Sequence, residues 1–135
     1  MLKQVVHIKK YDWHLEIYYH VTCYEIDTII TKLKQHDCKE EFIKDAYNNM
    51  KDCKLNTGIT YSNNKEKYSL IVISDTSEPS QFLNSLFHEI YHLISHIVEY
   101  YNINYISEEA AYLAGTIAQL IYPKSKKFLC KCCQD

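Results

Sequence analysis

Residues 82–97 constrain this chain more than any other stretch. On a helical wheel at about 100° per residue, Leu83, Leu86, Phe87, Ile90, Leu93, Ile94 and Ile97 gather on one side, and Gln81, Ser85, His88, His92 and Glu99 fall opposite. Such a helix must bury one side against another element, so the chain needs a core built around it. Its start is also legible. Ser77 is placed to cap it, and Pro79 suits a first turn, where a missing N–H costs nothing.

The same helix reads His88-Glu89-Ile90-Tyr91-His92, the pattern H-E-x-x-H. Two imidazoles one turn apart leave the helix on the same side and can share one divalent ion. Glu89, at the border of the apolar face, can then take a proton from a water held by that ion. With 7 histidines in 135 residues, chance supplies roughly 0.03 such matches, so the pattern is read as chemistry and not as a polar face. His96 continues the series but lies two turns from His88, roughly 12 Å along the axis, whereas zinc–nitrogen bonds are about 2 Å. It is expected to support a ligand from behind, to contact substrate, or to be merely exposed. A metzincin arrangement is excluded, because Val98 stands where its third histidine would be.

A catalytic zinc ion takes three protein ligands and keeps one position open. The next acidic residues are Glu108 and Glu109, at the head of a second helix expected over 107–122, capped by Ser107 and followed by Pro123. Its apolar face is Ala110, Leu113, Ala114, Ile117, Leu120 and Ile121. A short connection makes it an antiparallel neighbour whose opening turn is expected to return towards the histidines.

With these residues in view, the chain resembles the gluzincin metallopeptidases, in which H-E-x-x-H on one helix is completed by a glutamate early on the next. Residues 82–123 look more closely like the small phage-type and ImmA/IrrE-type metallopeptidases, through Glu108-Glu109-Ala110-Ala111-Tyr112-Leu113. Two positions depart from the ImmA/IrrE pattern: Tyr91 replaces a glycine and Ala111 an asparagine. The resemblance implies one Zn²⁺ on His88, His92 and Glu108, with Glu109 the alternative third ligand, and Glu89 activating the bound water. It implies hydrolysis of a peptide bond in a peptide or protein substrate. Tyr91, His96 and Tyr112 are candidates to steady the reaction's oxyanion or a ligand. The alternative is an inactive zincin-fold module that binds a protein partner.

The remaining chain is read as one α+β domain over 1–135, small and zincin-like, with short antiparallel strands packed on helices. Strands are expected at 5–8 and 15–21, helices at 24–35 and 39–51, and a hairpin at 58–62 and 68–74. Strand 68–74 is the candidate for the sheet edge that aligns an extended substrate, or for its neighbour. A net charge of −2 argues against a nucleic-acid binder. No long apolar run suggests a signal peptide or a membrane span, so the expected compartment is the cytoplasm. Cys23, Cys38 and Cys53 are expected to be reduced, and Cys130, Cys132 and Cys133 to belong to a flexible Cys/Lys-rich tail over about 125–135.

Overall fold

The computed structural model describes residues 1–133, the Cys133 side chain excepted. Four strands and four principal helices alternate as β1 (Leu2–Ile8), β2 (Trp13–Val21), α1 (Ile26–Gln35), α2 (Glu40–Met50), β3 (Gly58–Asn63), β4 (Tyr68–Ser74), α3 (Pro79–Tyr100) and α4 (Glu108–Ser125). The sheet order is β1-β2-β4-β3. Two antiparallel hairpins, β1–β2 and β3–β4, are joined by a parallel pairing of β2 with β4. A parallel pair requires a crossover, and α1 and α2 supply it. The fold is therefore α+β, with a mixed sheet and not a purely antiparallel one.

Helices cover both faces of the sheet. The alternation of Trp13, Leu15, Ile17 and Tyr19 on β2, with Ile71 and Ile73 on β4, feeds a core shared with α3 and α4. The opposite face, with Tyr18 on β2 and Tyr68, Leu70 and Val72 on β4, packs against α1 and α2. Strand β4 is buried at Tyr68–Ile73 for that reason, which explains its near-continuous apolar sequence. It is an inner strand. The edge beside the motif helix is β3, its neighbour.

Some local expectations are corrected. Glu78, not Ser77, holds the N-cap position of α3. Ser77 is tied instead to Asn56, whose Oδ1 accepts the Ser77 N–H and whose amide donates to the Ser77 hydroxyl. Ser107 does cap α4, accepting the Ala110 N–H at 3.2 Å. Pro123 lies inside α4, which continues to Ser125. Of the expected tail over about 125–135, Ser125 is buried and Phe128 stacks on Tyr19 and packs against Phe82, while residues 134 and 135 lie outside the described residues. Cys23 and Cys53 form a disulfide, with Cα atoms 4.8 Å apart, and are not reduced; Cys38 is a free, buried thiol. Among the described residues no helix is long and apolar enough to cross a membrane.

Candidate metal centre and its surroundings

Helix α3 lies against the edge strand β3, and the motif occupies this junction. His88 and His92 are exposed, and their Nε2 atoms stand 3.2 Å apart. Two nitrogens bound to one tetrahedral zinc at about 2.0–2.1 Å would be separated by about 3.3–3.4 Å. The helical i, i+4 spacing and these rotamers thus set the pair at nearly the separation one ion needs.

Glu89 is buried at 5 % exposure. A buried carboxylate is costly unless it is hydrogen-bonded, and β3 meets that need. The Thr60 hydroxyl lies 2.8 Å from Glu89 Oε1 and donates to it, and it also reaches the Glu89 backbone carbonyl at 3.1 Å. Oε2 makes no hydrogen bond among the described residues, is not sealed from solvent, and lies 3.9 Å from His88 Nε2. One oxygen is anchored and the other lies on the His88 side. Gly58 makes the close approach possible. A Cβ there would stand 2.8 Å from the Val72 carbonyl oxygen and 3.0 Å from Glu89 Oε2.

His96 continues the same helix flank. Its Nδ1 is 2.6 Å from the Ser62 hydroxyl, which is 2.6 Å from the Ser69 hydroxyl, which accepts the indole N–H of Trp13 at 2.8 Å. Burial, and after it the neighbouring His92, push the His96 pKa below the usual imidazole value.

The structure does not bring either glutamate of α4 to the histidine pair. Glu109 accepts a hydrogen bond from the Tyr11 hydroxyl at 3.0 Å and pairs with Lys10 at 3.5 Å, so it faces the β1–β2 hairpin. Glu108 is exposed and makes no hydrogen bond or ion pair among the described residues. The reason is the register of two antiparallel helices. His92 precedes the end of α3 at Tyr100 by eight residues, about 12 Å of helix axis, and α4 begins beyond that end. Its opening turn therefore stays level with the last turn of α3 and does not return to the motif. Tyr112 lines a depression with Glu109 and His7, on the hairpin side. Tyr91 borders a different feature, an apolar groove between α3 and α4 that also includes His88, Leu83 and Phe87.

Among the described residues, the one group of three potential ligands whose atoms all lie within 4.8 Å of one another is His7, Asp12 and His14. It was not anticipated from sequence, since His7 and His14 come together only as cross-strand partners. The supporting residues Gly58, Thr60 and Ser62 were missed too. Their signal was present: three small or hydroxyl residues at alternate positions of one strand share a face.

Comparison with family models, with curated proteins and with solved structures gives no match for this chain.

Proposed function

We propose that this chain is a zinc-dependent hydrolase of peptide bonds, with His88 and His92 as metal ligands and Glu89 as general base. One observation carries the reading: two imidazole nitrogens 3.2 Å apart, flanked by a buried glutamate with one oxygen hydrogen-bonded to Thr60 and the other 3.9 Å from His88 Nε2. An accidental polar face gives no reason to bury that carboxylate against a threonine on the sheet edge. A zinc ion here would polarise a substrate carbonyl and acidify water. Glu89 would accept the water's proton through Oε2 and return it to the leaving amine, while Thr60 keeps the carboxylate aimed. The open edge of β3 offers main-chain groups to an extended substrate.

The third ligand in this reading is Glu108, with Glu109 the alternative. Glu109 is already held by Tyr11 and Lys10, whereas the Glu108 carboxylate has no partner among the described residues. Glu108 stands in the first turn of α4, away from the histidine pair, and this ligand set requires it to reach them. The test is equilibrium dialysis against zinc, followed by incubation with a peptide library. Wild type should bind one equivalent, Glu108→Gln should bind more weakly, and Glu89→Gln should keep its zinc while losing about 10²–10⁴-fold in hydrolysis. A wild type with no stoichiometric zinc ends the proposal.

A second reading, an inactive zincin-fold module that binds a protein, is favoured by the apolar groove beside His88. Phe87 and Tyr91 on its wall are 62 % and 66 % exposed. Zinc binding without cleavage of any library member, equal in wild type and Glu89→Gln, selects that reading.

A further inference from the structure

We infer that His96 is a substrate-binding residue: its Nε2–H is a fixed hydrogen-bond donor for a main-chain carbonyl of an extended peptide lying along β3. The inference rests on the metal-hydrolase reading and adds a specificity element to it.

The argument begins at Trp13. Its indole nitrogen can only donate, and both Trp13 and Ser69 are fully buried. Ser69 must therefore accept from Trp13, and the one other partner within reach of its hydroxyl is Ser62. Ser69 then donates to Ser62. Ser62, having accepted, directs its own hydrogen to His96 Nδ1. A donor-only group at the buried end thus sets the direction of every bond in the chain. Nδ1 of His96 is an acceptor, and in the neutral ring the hydrogen sits on Nε2.

That Nε2 is left for something outside the protein. It has no hydrogen-bond partner among the described residues and is not sealed from solvent. The ring lines a groove with Thr60, Tyr61, Ser62 and Asn63 of the edge strand. A neutral donor held by a buried chain suits a peptide carbonyl better than a charged group. Spacing identifies which carbonyl. His96 follows His92 by one helical turn, about 6 Å, and an extended peptide advances about 3.3 Å per residue. The acceptor is therefore about two residues from the carbonyl held at the histidine pair.

Two measurements test this. In a long-range ¹⁵N–¹H spectrum at pH 7.5, the assigned His96 ring should carry its hydrogen on Nε2, and Ser62→Ala should weaken that preference. A hydrogen on Nδ1 in the wild type overturns the inference without reference to activity. The second uses the zinc-loaded protein and two probes, acetohydroxamate, which reaches only the metal, and a trialanyl hydroxamate, whose backbone extends along β3. His96→Phe should weaken the trialanyl probe about tenfold and leave acetohydroxamate unchanged. If acetohydroxamate binds wild type and the trialanyl probe binds wild type and His96→Phe equally, the role of His96 is wrong while the metal site stands. If zinc-loaded wild type binds neither probe, the metal reading fails and takes this inference with it.

Discussion

Two places on this molecule set a pair of imidazoles beside one carboxylate, and they differ in almost everything else. On the β1–β2 hairpin, His7 and His14 stack as cross-strand partners with centroids 4.7 Å apart, and Asp12 is hydrogen-bonded to His7 at 2.8 Å. All three are exposed. On α3, His88 and His92 are exposed but Glu89 is buried, with Thr60 donating to one oxygen and His88 Nε2 3.9 Å from the other. The hairpin group satisfies itself, and its carboxylate is spent on its own imidazole. The helical group has its carboxylate steadied from behind, with one oxygen left over. Proximity alone points to the hairpin trio; the proposed site rests instead on the buried, hydrogen-bonded carboxylate of the helix.

The sharpest way to break this comparison is zinc titration of both groups. Replacing His88 or His92 by Ala should weaken zinc binding by at least about 100-fold, while the same change at His7 or His14 should leave the tight site within about twofold. The reverse result would transfer the metal to the hairpin.

The next effect concerns the fit behind Glu89. Gly58→Ala forces a Cβ against the Val72 carbonyl and the Glu89 carboxylate, and overpacking of this kind costs about 1–3 kcal/mol. Chemical denaturation should show that loss. No loss would mean that the approach of β3 to α3 is slack and that Glu89 is not positioned by it.

A smaller effect follows from His96. Its pKa is lowered in the folded protein, chiefly by burial, so the unfolded chain binds the proton more readily. The corresponding stability is full above the unfolded value of about 6.5 and is lost as pH falls through the lowered folded pKa. His96→Gln should remove part of the acid-side decline in Tm. His92 and Glu99 also face this ring, His92 lowering its pKa and Glu99 raising it, so an unchanged decline would place the sensitivity elsewhere.

The smallest effect belongs to the hairpin. The hydrogen bond from His7 holds the Asp12 carboxyl below its usual range, so the stability it adds is present above the unfolded carboxyl value and is lost as pH falls through the lowered folded one. Solvent screens so exposed a pair. Asp12→Asn should leave Tm at pH 7 unchanged within error, and a clear drop would show that the hairpin group is more than a surface contact.

Much of the fold was legible because period and punctuation agree. Strands β1 to β4 and helices α1 and α2 appear where alternation and helical spacing put them. The errors share a cause: a wheel shows which side of a helix is apolar, not how far its neighbours reach. The wheel puts Leu83 and Phe87 on the apolar side, yet they remain exposed at the groove beside α4, while Ser85 is buried and Glu89 is buried against β3. Pro123 suits a helix stop in sequence, yet the helix runs on to Ser125. The pairing of Cys23 with Cys53 depends on the turn after α2 returning to the end of β2, which no local pattern encodes.

The sequence by itself determined the motif, the helix that bears it and the side on which His88 and His92 emerge, because helical geometry relates residues four apart without help from the rest of the chain. Tertiary structure alone decided that Glu89 would be buried against Thr60, that His96 would close a chain from Trp13, and that the first turn of α4 would stop short of the histidines. Those outcomes depend on how far one element slides along another, and that is set by packing over the whole sheet, not by any spacing along the chain.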